Sequence, residues 1–369
     1  MGVHLKIAAL LSTYRPSIKN KMVGGGELSN ISLLEKMAEN GNIVTVYTLN
    51  GLGVWRSTVN GVKIYDFGFL FKGGRFKTFS GMIIFKALCF YMVKKNKPDI
   101  LISSTQTISF TAKIAEDLNI INGAFIRAYE NFTLYKNPLK RLLHGFIMGR
   151  SDADALKKVD FLIPNSEFME KFLKKKLGDK IKTHIVYPSV KKAQTFSPPS
   201  EIKKILMVGT SKKKGVDTFT YLAERFSNIN FIIVGDPALK PAEKLKINNL
   251  TRIGWSDNVP ELIHCADCVL VPSTWEEPFG RISLEALFSG KPVLVSDRGG
   301  LPETVMHNKN LIIKYDKKED WYLALGKLIN KPEDFILSEN ELAIVYQKYS
   351  LSVITKDFEC FLKKEFSIK

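Results

Sequence analysis

Residues 275–287 read WEEPFGRISLEAL. Pro278 and Gly280 predict a turn that opens a helix, with Glu277 just before the helix and Glu285 two turns inside it. The N–H groups at a helix start have no partners within the helix, so they can hold one ligand oxygen while the two carboxylates accept hydrogen bonds from hydroxyls further away. Carboxylates that accept from diols are typical of proteins that bind sugars or riboses.

Around this segment, short apolar runs alternate with longer helical patterns. Such alternation predicts parallel sheets covered by helices on both faces. Residues 188–200 are rich in Pro and Ser and lack periodicity, which indicates a linker between residues 1–187 and 201–349. We therefore expect two doubly wound α/β domains. The expected strands are 7–12, 43–49, 100–103, 125–128, 161–165 and 184–187 in the first domain, and 205–209, 231–234, 251–253, 268–271, 292–296 and 311–313 in the second.

Length and composition support two folded domains. The chain has 369 residues, of which 45% are hydrophobic and 25% charged, so extensive disorder is excluded. Residues 350–369 place Val353, Phe358, Phe361 and Leu362 at helical spacing. This spacing predicts an amphipathic helix that packs outside the second domain or back on the first.

The charge is concentrated in one half of the chain. The net charge is +17; residues 1–185 carry 28 basic and 14 acidic side chains, hence +14, whereas residues 186–369 carry +3. The first half therefore predicts an anionic partner. Four cysteines in so long a chain do not make a disulfide framework, and the apolar run at residues 7–11 is too short for a signal peptide. We expect a cytoplasmic protein.

Two glycine-containing turns follow predicted strands. Gly24, Gly25 and Gly26 precede a helical pattern, where backbone N–H groups can approach a phosphate closely. The turn GTSKKKG at 209–215 follows a strand of the second domain, and its lysines suit a diphosphate. Taken alone, the glycine run is a weak signal that a flexible loop also explains, and the lysine turn is better explained as a solvated charge run.

Taken together, these segments resemble the retaining nucleotide-sugar glycosyltransferases of family 4, within the group 1 glycosyl transferases. The resemblance implies the GT-B fold, in which two Rossmann-like domains face each other across a cleft. Its most specific element is the pair of glutamates eight positions apart, Glu277 and Glu285. The supporting motifs are PNSEF at 164–168, VYPSV at 186–190, KGVD at 214–217 and GGLPE at 299–303.

The resemblance assigns roles to individual residues. Glu277 would contact hydroxyls of the donor sugar, together with the backbone N–H groups of Phe279 and Gly280. Glu285 would hold the nucleotide ribose, and Lys214 would neutralise the donor diphosphate, on which Gly24, Gly25 and Gly26 would close from the opposite domain. The implied reaction moves a hexose from a UDP- or GDP-sugar to an acceptor hydroxyl, with no protein nucleophile and no cofactor beyond the donor.

The sequence departs from the family pattern at two places. Thr210 stands where the family commonly has an arginine, and Lys212 is expected to substitute as a less directional charge. A histidine common in the first domain is missing, and Glu130 or Gln106 is expected in its place. The Asp152-Ala153-Asp154 sequence is interpreted as a helix start rather than a metal motif, so no metal is expected.

No acidic residue occurs between Asp66 and Asp99. Basic side chains interleaved with aromatic ones are typical of surfaces that contact anionic lipid headgroups. This pattern predicts a peripheral membrane contact through residues 67–97, on the inner membrane face, and a lipid-linked or glycan acceptor. In the alternative interpretation, Phe85, Leu88 and Met92 are core positions and the lysines solvate the outer face.

Other functions stay open at this point. A basic half could follow a nucleic-acid backbone, which would make the protein a glucosyltransferase acting on nucleic acid, although no nucleic-acid motif is present. A nucleotide-sugar epimerase shares the two-domain architecture, and it would consume the donor without an acceptor. A third alternative is a sugar-binding protein that has lost catalysis.

Overall fold

The structure is a computed structural model that describes residues 4–15, 24–71, 75–104, 107–129, 132, 153–190, 198–241, 243–256 and 258–367. Contacts divide the chain into two units, one of Met1–Ser189 with Leu351–Lys369 and one of Val190–Ser350. Of the predicted linker, residues 191–197 lie outside the described residues.

The first unit contains a seven-stranded sheet. Its strands β1–β7 are Lys6–Leu11, Ile43–Thr48, Arg56–Val59, Val62–Asp66, Ile100–Ser104, Ile121–Ile126 and Phe161–Pro164. Its helices α1–α5 are Gly25–Glu39, Arg75–Asn96, Ile108–Leu118, Ala153–Leu156 and Glu167–Leu177, with a 3-10 turn at Gly68–Phe71.

The second unit repeats this plan with strands β8–β14. These are Lys204–Val208, Asn230–Val234, Lys244–Ile247, Leu250–Ile253, Cys268–Val271, Val293–Ser296 and Ile312–Ile313. Its helices α6–α11 are Val216–Arg225, Val259–Cys265, Arg281–Phe288, Leu301–Thr304, Lys318–Asn330 and Glu339–Tyr349, with 3-10 turns at Lys212–Lys214 and Pro332–Phe335. The last helix, α12 (Leu351–Glu365), belongs to the first unit.

The two sheets have the same strand order. The first sheet runs β3-β4-β2-β1-β5-β6-β7 and the second runs β10-β11-β9-β8-β12-β13-β14, so each strand has a counterpart seven strands later. All pairings are parallel except β3 with β4 and β10 with β11. In each sheet the strand order changes direction next to the strand that comes first in the sequence, β1 or β8. Open α/β sheets bind ligands at such a point, at the carboxyl ends of the strands. In the second unit this point lies between β8 and β12.

Helices cover both faces of the first sheet because its central strands are apolar on both sides. On one face, Leu33 and Leu34 of α1 and Phe358 and Leu362 of α12 pack with β1, β2 and β4. On the other face, α2 and α3 pack against alternate residues of the same strands, with Phe85 fully buried. The apolar residues of α12 thus complete a core of the first unit.

The hairpin of β3 and β4 and the edge strand β10 were missing from the predicted strands. In the hairpin, Asn60 and Gly61 have φ values of 49° and 80° and join β3 to β4. An Asn-Gly pair with positive φ at both residues is typical of a two-residue hairpin turn, so this sequence signal was present. All four residues of β10 are exposed. No apolar alternation toward a core marks such a strand, so periodicity could not reveal it.

The predicted strand at residues 184–187 is wrong. The backbone N–H groups of His184 and Val186 donate to the carbonyl oxygens of Leu162 and Pro164, but only an isolated bridge results. The Leu162 N–H group also donates to the Lys182 carbonyl oxygen. The next parallel bridge would need residue 164 to donate to the His184 carbonyl oxygen, but residue 164 is a proline and has no N–H group. The pairing is therefore limited to three hydrogen bonds.

Candidate functional site

Three loops of the second unit meet at Glu277. They follow the carboxyl ends of β8, β12 and β13, which are neighbours in the sheet. The loop after β12 carries Glu277 itself, and the loop after β8 carries Lys214. The loop after β13 forms an isolated bridge between Gly299 and Glu277, and the N–H group of Gly300 donates to the Glu277 carbonyl oxygen at 2.7 Å.

Lys214 and Glu277 form an ion pair at the centre of this arrangement. Lys214 Nζ lies 2.6 Å from Glu277 Oε1, and the Ser273 hydroxyl donates to the same oxygen at 2.7 Å. The Glu277 side chain is only 7% exposed, whereas that of Lys214 is 38% exposed. A shielded carboxylate is thus fixed by two donors, one of which is a cation that also reaches solvent.

Glycines let these loops approach one another closely. Gly215 has φ of 86°, and a Cβ there would lie 1.9 Å from the carbonyl oxygen of Pro272. Gly299 has φ of 63°, and a Cβ there would lie 2.1 Å from the carbonyl oxygen of Glu277. Both positions therefore need glycine for two reasons, the left-handed backbone conformation and the absence of space. The glycines of the KGVD and GGLPE motifs hold the loops around Glu277.

The lysine turn is held against the segment that precedes Glu277. The Thr274 N–H group donates to the Lys213 carbonyl oxygen at 2.9 Å, and the Thr274 hydroxyl donates to the Lys212 carbonyl oxygen at 3.1 Å. The ammonium groups of Lys213 and Lys214 lie 5.9 and 5.7 Å from the centre of the Trp275 ring. Lys212 is exposed. The structure therefore brings the predicted residues Lys212 and Lys214 into one short cationic turn.

Helix α8 begins directly after Gly280, as predicted from the Pro-Phe-Gly turn. Phe279 is buried with its ring 5.5 Å from that of Tyr349, so its side chain anchors the helix start in the core. On the helix, Arg281 Nη2 lies 3.0 Å from Glu285 Oε1. Burial raises the pKa of Glu285, and the Arg281 charge opposes that rise.

Two further side chains at this edge were missing from the predicted site. Ser273 orients Glu277, and its place four residues before that glutamate at the end of a strand was the signal. Asp236 follows β9, is 3% exposed and pairs with Arg252 Nε at 2.7 Å. The Ala238 N–H group also donates to Asp236, so this carboxylate orders the loop after β9. Sequence spacing could not reveal the Asp236–Arg252 pair because its partners lie on different strands.

Of the site residues predicted in the first unit, the structure describes Gly24, Gly25 and Gly26. Gly24 is the N-cap of α1, and its N–H group donates to Glu27 Oε2 at 3.0 Å. A Cβ on Gly26 would lie 2.9 Å from that of Arg127, whose Nε donates to Asn30 Oδ1 at 2.9 Å. Close packing of α1 against the end of β6 therefore explains a glycine at position 26. Glu130 and Gln106, predicted in place of the family's histidine, lie outside the described residues.

Metal and membrane features were searched among the described residues. Within these ranges, no three His, Cys, Asp or Glu side chains are grouped to hold a metal ion. Asp154 lies on α4 and contacts Lys157 at 3.5 Å, while Asp152 is outside the described residues. None of the described helices combines the length and the apolar character that a bilayer crossing requires.

The chain resembles known proteins in sequence. Residues 191–346 match the family described as glycosyl transferases group 1. The chain is 29% identical, over 182 residues, to a lipopolysaccharide 1,2-N-acetylglucosaminetransferase of Salmonella typhimurium, an alignment covering 42% of this chain and 46% of that protein. The chain spans less than half the length of the first curated relatives that it matches.

Solved structures share the fold along the whole chain. Sucrose-phosphate synthase from Thermosynechococcus elongatus gives a TM-score of 0.74 at 17% identity, covering 98% of this chain and 99% of that one. The Anabaena protein HepE in complex with UDP gives 0.71 at 16% identity, covering 98% and 100%. The predicted fold class, two Rossmann-like domains of the GT-B type, is confirmed.

Proposed function

Because residues 191–346 match the family described as glycosyl transferases group 1, we propose that this chain is a retaining glycosyltransferase of that group. It moves a hexose from a UDP- or GDP-sugar to an acceptor hydroxyl. The observation that carries this proposal is the Lys214–Glu277 ion pair at the carboxyl ends of β8 and β12. We call Lys214 and Glu277 the clamp. A cation that can bind phosphate, beside a shielded carboxylate that can accept from hydroxyls, suits a ligand that has a diphosphate next to a sugar with free hydroxyls.

Each residue of the clamp has a part in the reaction. Lys214, with Lys212 nearby, neutralises the negative charge that develops on the leaving diphosphate, a task that a metal ion performs in other transferases. Glu277, oriented by Ser273, accepts hydrogen bonds from the sugar hydroxyls and fixes the sugar at the start of α8. Glu285 accepts hydrogen bonds from the ribose hydroxyls. Gly24, Gly25 and Gly26 bind the diphosphate through backbone N–H groups.

The transfer itself needs no protein nucleophile. The bond between the sugar C1 and the diphosphate oxygen breaks, and the acceptor oxygen forms a new bond to C1 on the same face. The acceptor proton passes to the departing phosphate oxygen. Because that oxygen acts as the base, we propose that the protein contributes charge stabilisation rather than a general base, and that Glu130 serves only to position the acceptor.

We propose further that the acceptor is lipid-linked or a glycan held at an anionic membrane surface. Ile83, Ile84 and Tyr91 are exposed on α2, and the exposed rings of Trp55 and Phe69 lie 5.6 Å apart beside it. Basic side chains accompany them, with Lys94 and Lys95 in the last turn of the helix. Apolar and cationic groups on one surface favour contact with anionic lipid.

The alternative interpretation of this helix describes its inner face correctly. Phe85 is buried, and Leu88 and Met92 pack against the same core. The membrane proposal therefore rests on the outer face alone. The side chains of residues 71 and 75–80 lie outside the described part of the chain, as does Lys72.

The test is release of nucleotide from UDP- and GDP-hexoses by the purified protein, with and without a membrane extract that supplies acceptor. We expect one donor class to be consumed, and Glu277→Gln to lower kcat at least about 100-fold, because the shielded carboxylate contacts the reacting sugar. Glu201→Gln, in an exposed ion pair of the same unit, is the matched control. An epimerase would instead consume donor without releasing nucleotide, and failure of every donor would contradict the proposal.

A further inference from the structure

A cavity of about 230 Å³ opens on the first unit, apart from the loops that follow the carboxyl ends of its strands. Its floor is formed by β1, β2 and β4, one wall by β3 and the other by the end of α2. The side chains that matter to its chemistry are those of Lys6, Tyr47, Arg56, Lys63, Tyr65 and Asn96.

The cavity exists because helix α2 ends at Asn96 and two small side chains, Ala8 and Thr45, line the floor. In the sheet register Lys63 pairs with Thr45, and Tyr65 pairs with both Tyr47 and Arg56. Large polar side chains on the outer strands thus surround a floor of small ones. The shape of the cavity therefore follows from the order of residues along the strands and does not depend on a loop.

Three cations line the cavity from three different strands: Lys6 on β1, Arg56 on β3 and Lys63 on β4. Within the described ranges, none of the three forms an ion pair with a carboxylate. The carboxylate of Asp99 accepts a hydrogen bond from the backbone N–H group of Lys6 at 2.7 Å. Three exposed cations along the border of one cavity create a positive potential that an anion relieves.

Aromatic rings give the cavity a flat side. The rings of Tyr47 and Tyr65 are stacked with centres 5.6 Å apart, and the Arg56 guanidinium lies 5.8 Å from the centre of the Tyr65 ring. The Tyr47 hydroxyl accepts from Asn96 Nδ2 at 2.9 Å. The Tyr47 side chain is fully buried beneath the Tyr65 ring, and this burial raises the pKa of Tyr47 to about 12.

We propose that this cavity binds a phosphate group attached to a compact polar ring or headgroup, with Arg56 and Lys63 at the phosphate and the ring against Tyr65. Pockets for drug-sized ligands usually measure about 300–1,000 Å³, so this one suits a sugar phosphate or a lipid headgroup rather than a nucleotide sugar. The site is separate from the Lys214–Glu277 clamp, and it does not depend on sugar transfer.

Calorimetric titration of full-length Lys214→Met protein with glucose 6-phosphate tests the soluble source, because that substitution removes the clamp's own cation. Co-sedimentation with phosphatidylglycerol vesicles, against phosphatidylcholine vesicles, tests the lipid source. Lys63→Met and Arg56→Met are each expected to weaken binding about tenfold, since each removes one charge-assisted contact. Lys175→Met, an exposed lysine of α5, is expected to change nothing.

Binding of either probe that depends on Lys63 and Arg56 supports the proposal, and the probe that binds identifies the source. If neither probe binds, or if the Lys63→Met, Arg56→Met and Lys175→Met proteins bind alike, the proposal is wrong. Ile84→Ser separates it from general membrane contact, because that change should reduce vesicle binding and leave the affinity for glucose 6-phosphate unchanged.

Discussion

Lys214 Nζ lies 2.6 Å from Glu277 Oε1, although the two residues come from loops after different strands and are separated by 63 positions in the chain. The two strands, β8 and β12, are adjacent at the point where the strand order reverses. The pair therefore joins the two loops that border the ligand-binding edge of the sheet. Without a ligand the ammonium compensates a shielded carboxylate, and a bound diphosphate would take over part of that charge.

This pairing predicts a stability cost when one partner is removed. Lys214→Met removes the cation that compensates the Glu277 carboxylate and leaves the Ser273 hydroxyl as a donor, which we expect to lower the free energy of unfolding by about 1 kcal/mol. Urea denaturation measures the change. The double variant Lys214→Met, Glu277→Gln should recover part of the loss. Lys203→Met removes a partner of the exposed Glu201 and should have almost no effect; an equal loss in that control would contradict the account.

Glycine at position 215 is predicted to be required for stability. Gly215→Ala adds a Cβ that would lie 1.9 Å from a backbone oxygen, at a φ of 86°, so we expect a loss of about 3 kcal/mol or more in unfolding free energy. Gly326→Ala is the control, because position 326 lies within helix α10 and a Cβ there meets nothing within 4 Å. That change should stabilise the protein by about 0.5–1 kcal/mol. Thermal unfolding of both variants provides the comparison.

The raised pKa of Glu285 predicts that the protein gains stability at this position as the pH falls. Burial raises its pKa in the folded protein above the value in the unfolded chain, so the folded state binds the proton more tightly. The penalty for the buried charge is therefore present at neutral pH and is relieved as the pH falls through the raised folded pKa. We expect Glu285→Gln to remove this contribution from the pH profile.

The measurement is urea denaturation of wild type and Glu285→Gln between pH 7 and pH 4.5. The difference in unfolding free energy between the two proteins should shift in favour of wild type as the pH falls. Glu319→Gln, at an exposed position of α10, is the matched control. A difference that stays constant with pH would show that Glu285 is not perturbed.

Contact with anionic membranes is predicted to depend on the outer face of α2. Co-sedimentation with phosphatidylglycerol vesicles at low salt should exceed that with phosphatidylcholine vesicles, and Ile84→Ser should lower it several-fold. Leu323→Ser, an exposed leucine of α10 in the second unit, is the matched control. Equal recovery with both vesicle types would overturn the membrane proposal.

The sequence predicted the parts of the site that are local in the chain. Gly280 before α8 and the glutamate pair at 277 and 285 depend on spacing within one segment, which a linear pattern preserves. The partners of these residues are different in kind. That Lys214 meets Glu277, and that Arg252 meets Asp236, depends on strands that are brought together only by the fold.

The same distinction applies to the strands. Buried strands such as β1 and β12 are apolar runs that periodicity detects. The edge strand β10 is exposed along its whole length, so nothing in its hydropathy separates it from a loop. Residues 184–187 show the opposite error, since an apolar run there lies beside β7 but Pro164 of β7 has no N–H group to extend the ladder.

The central claim is that Lys214 and Glu277 form the binding site for a nucleotide sugar. Its most direct test is calorimetric titration of UDP- and GDP-hexoses into wild-type, Lys214→Met and Lys203→Met proteins. We predict that wild type and Lys203→Met bind one nucleotide sugar with the same affinity, and that Lys214→Met binds it at least about tenfold more weakly. If Lys214→Met binds the nucleotide sugar as tightly as wild type, the claim is contradicted.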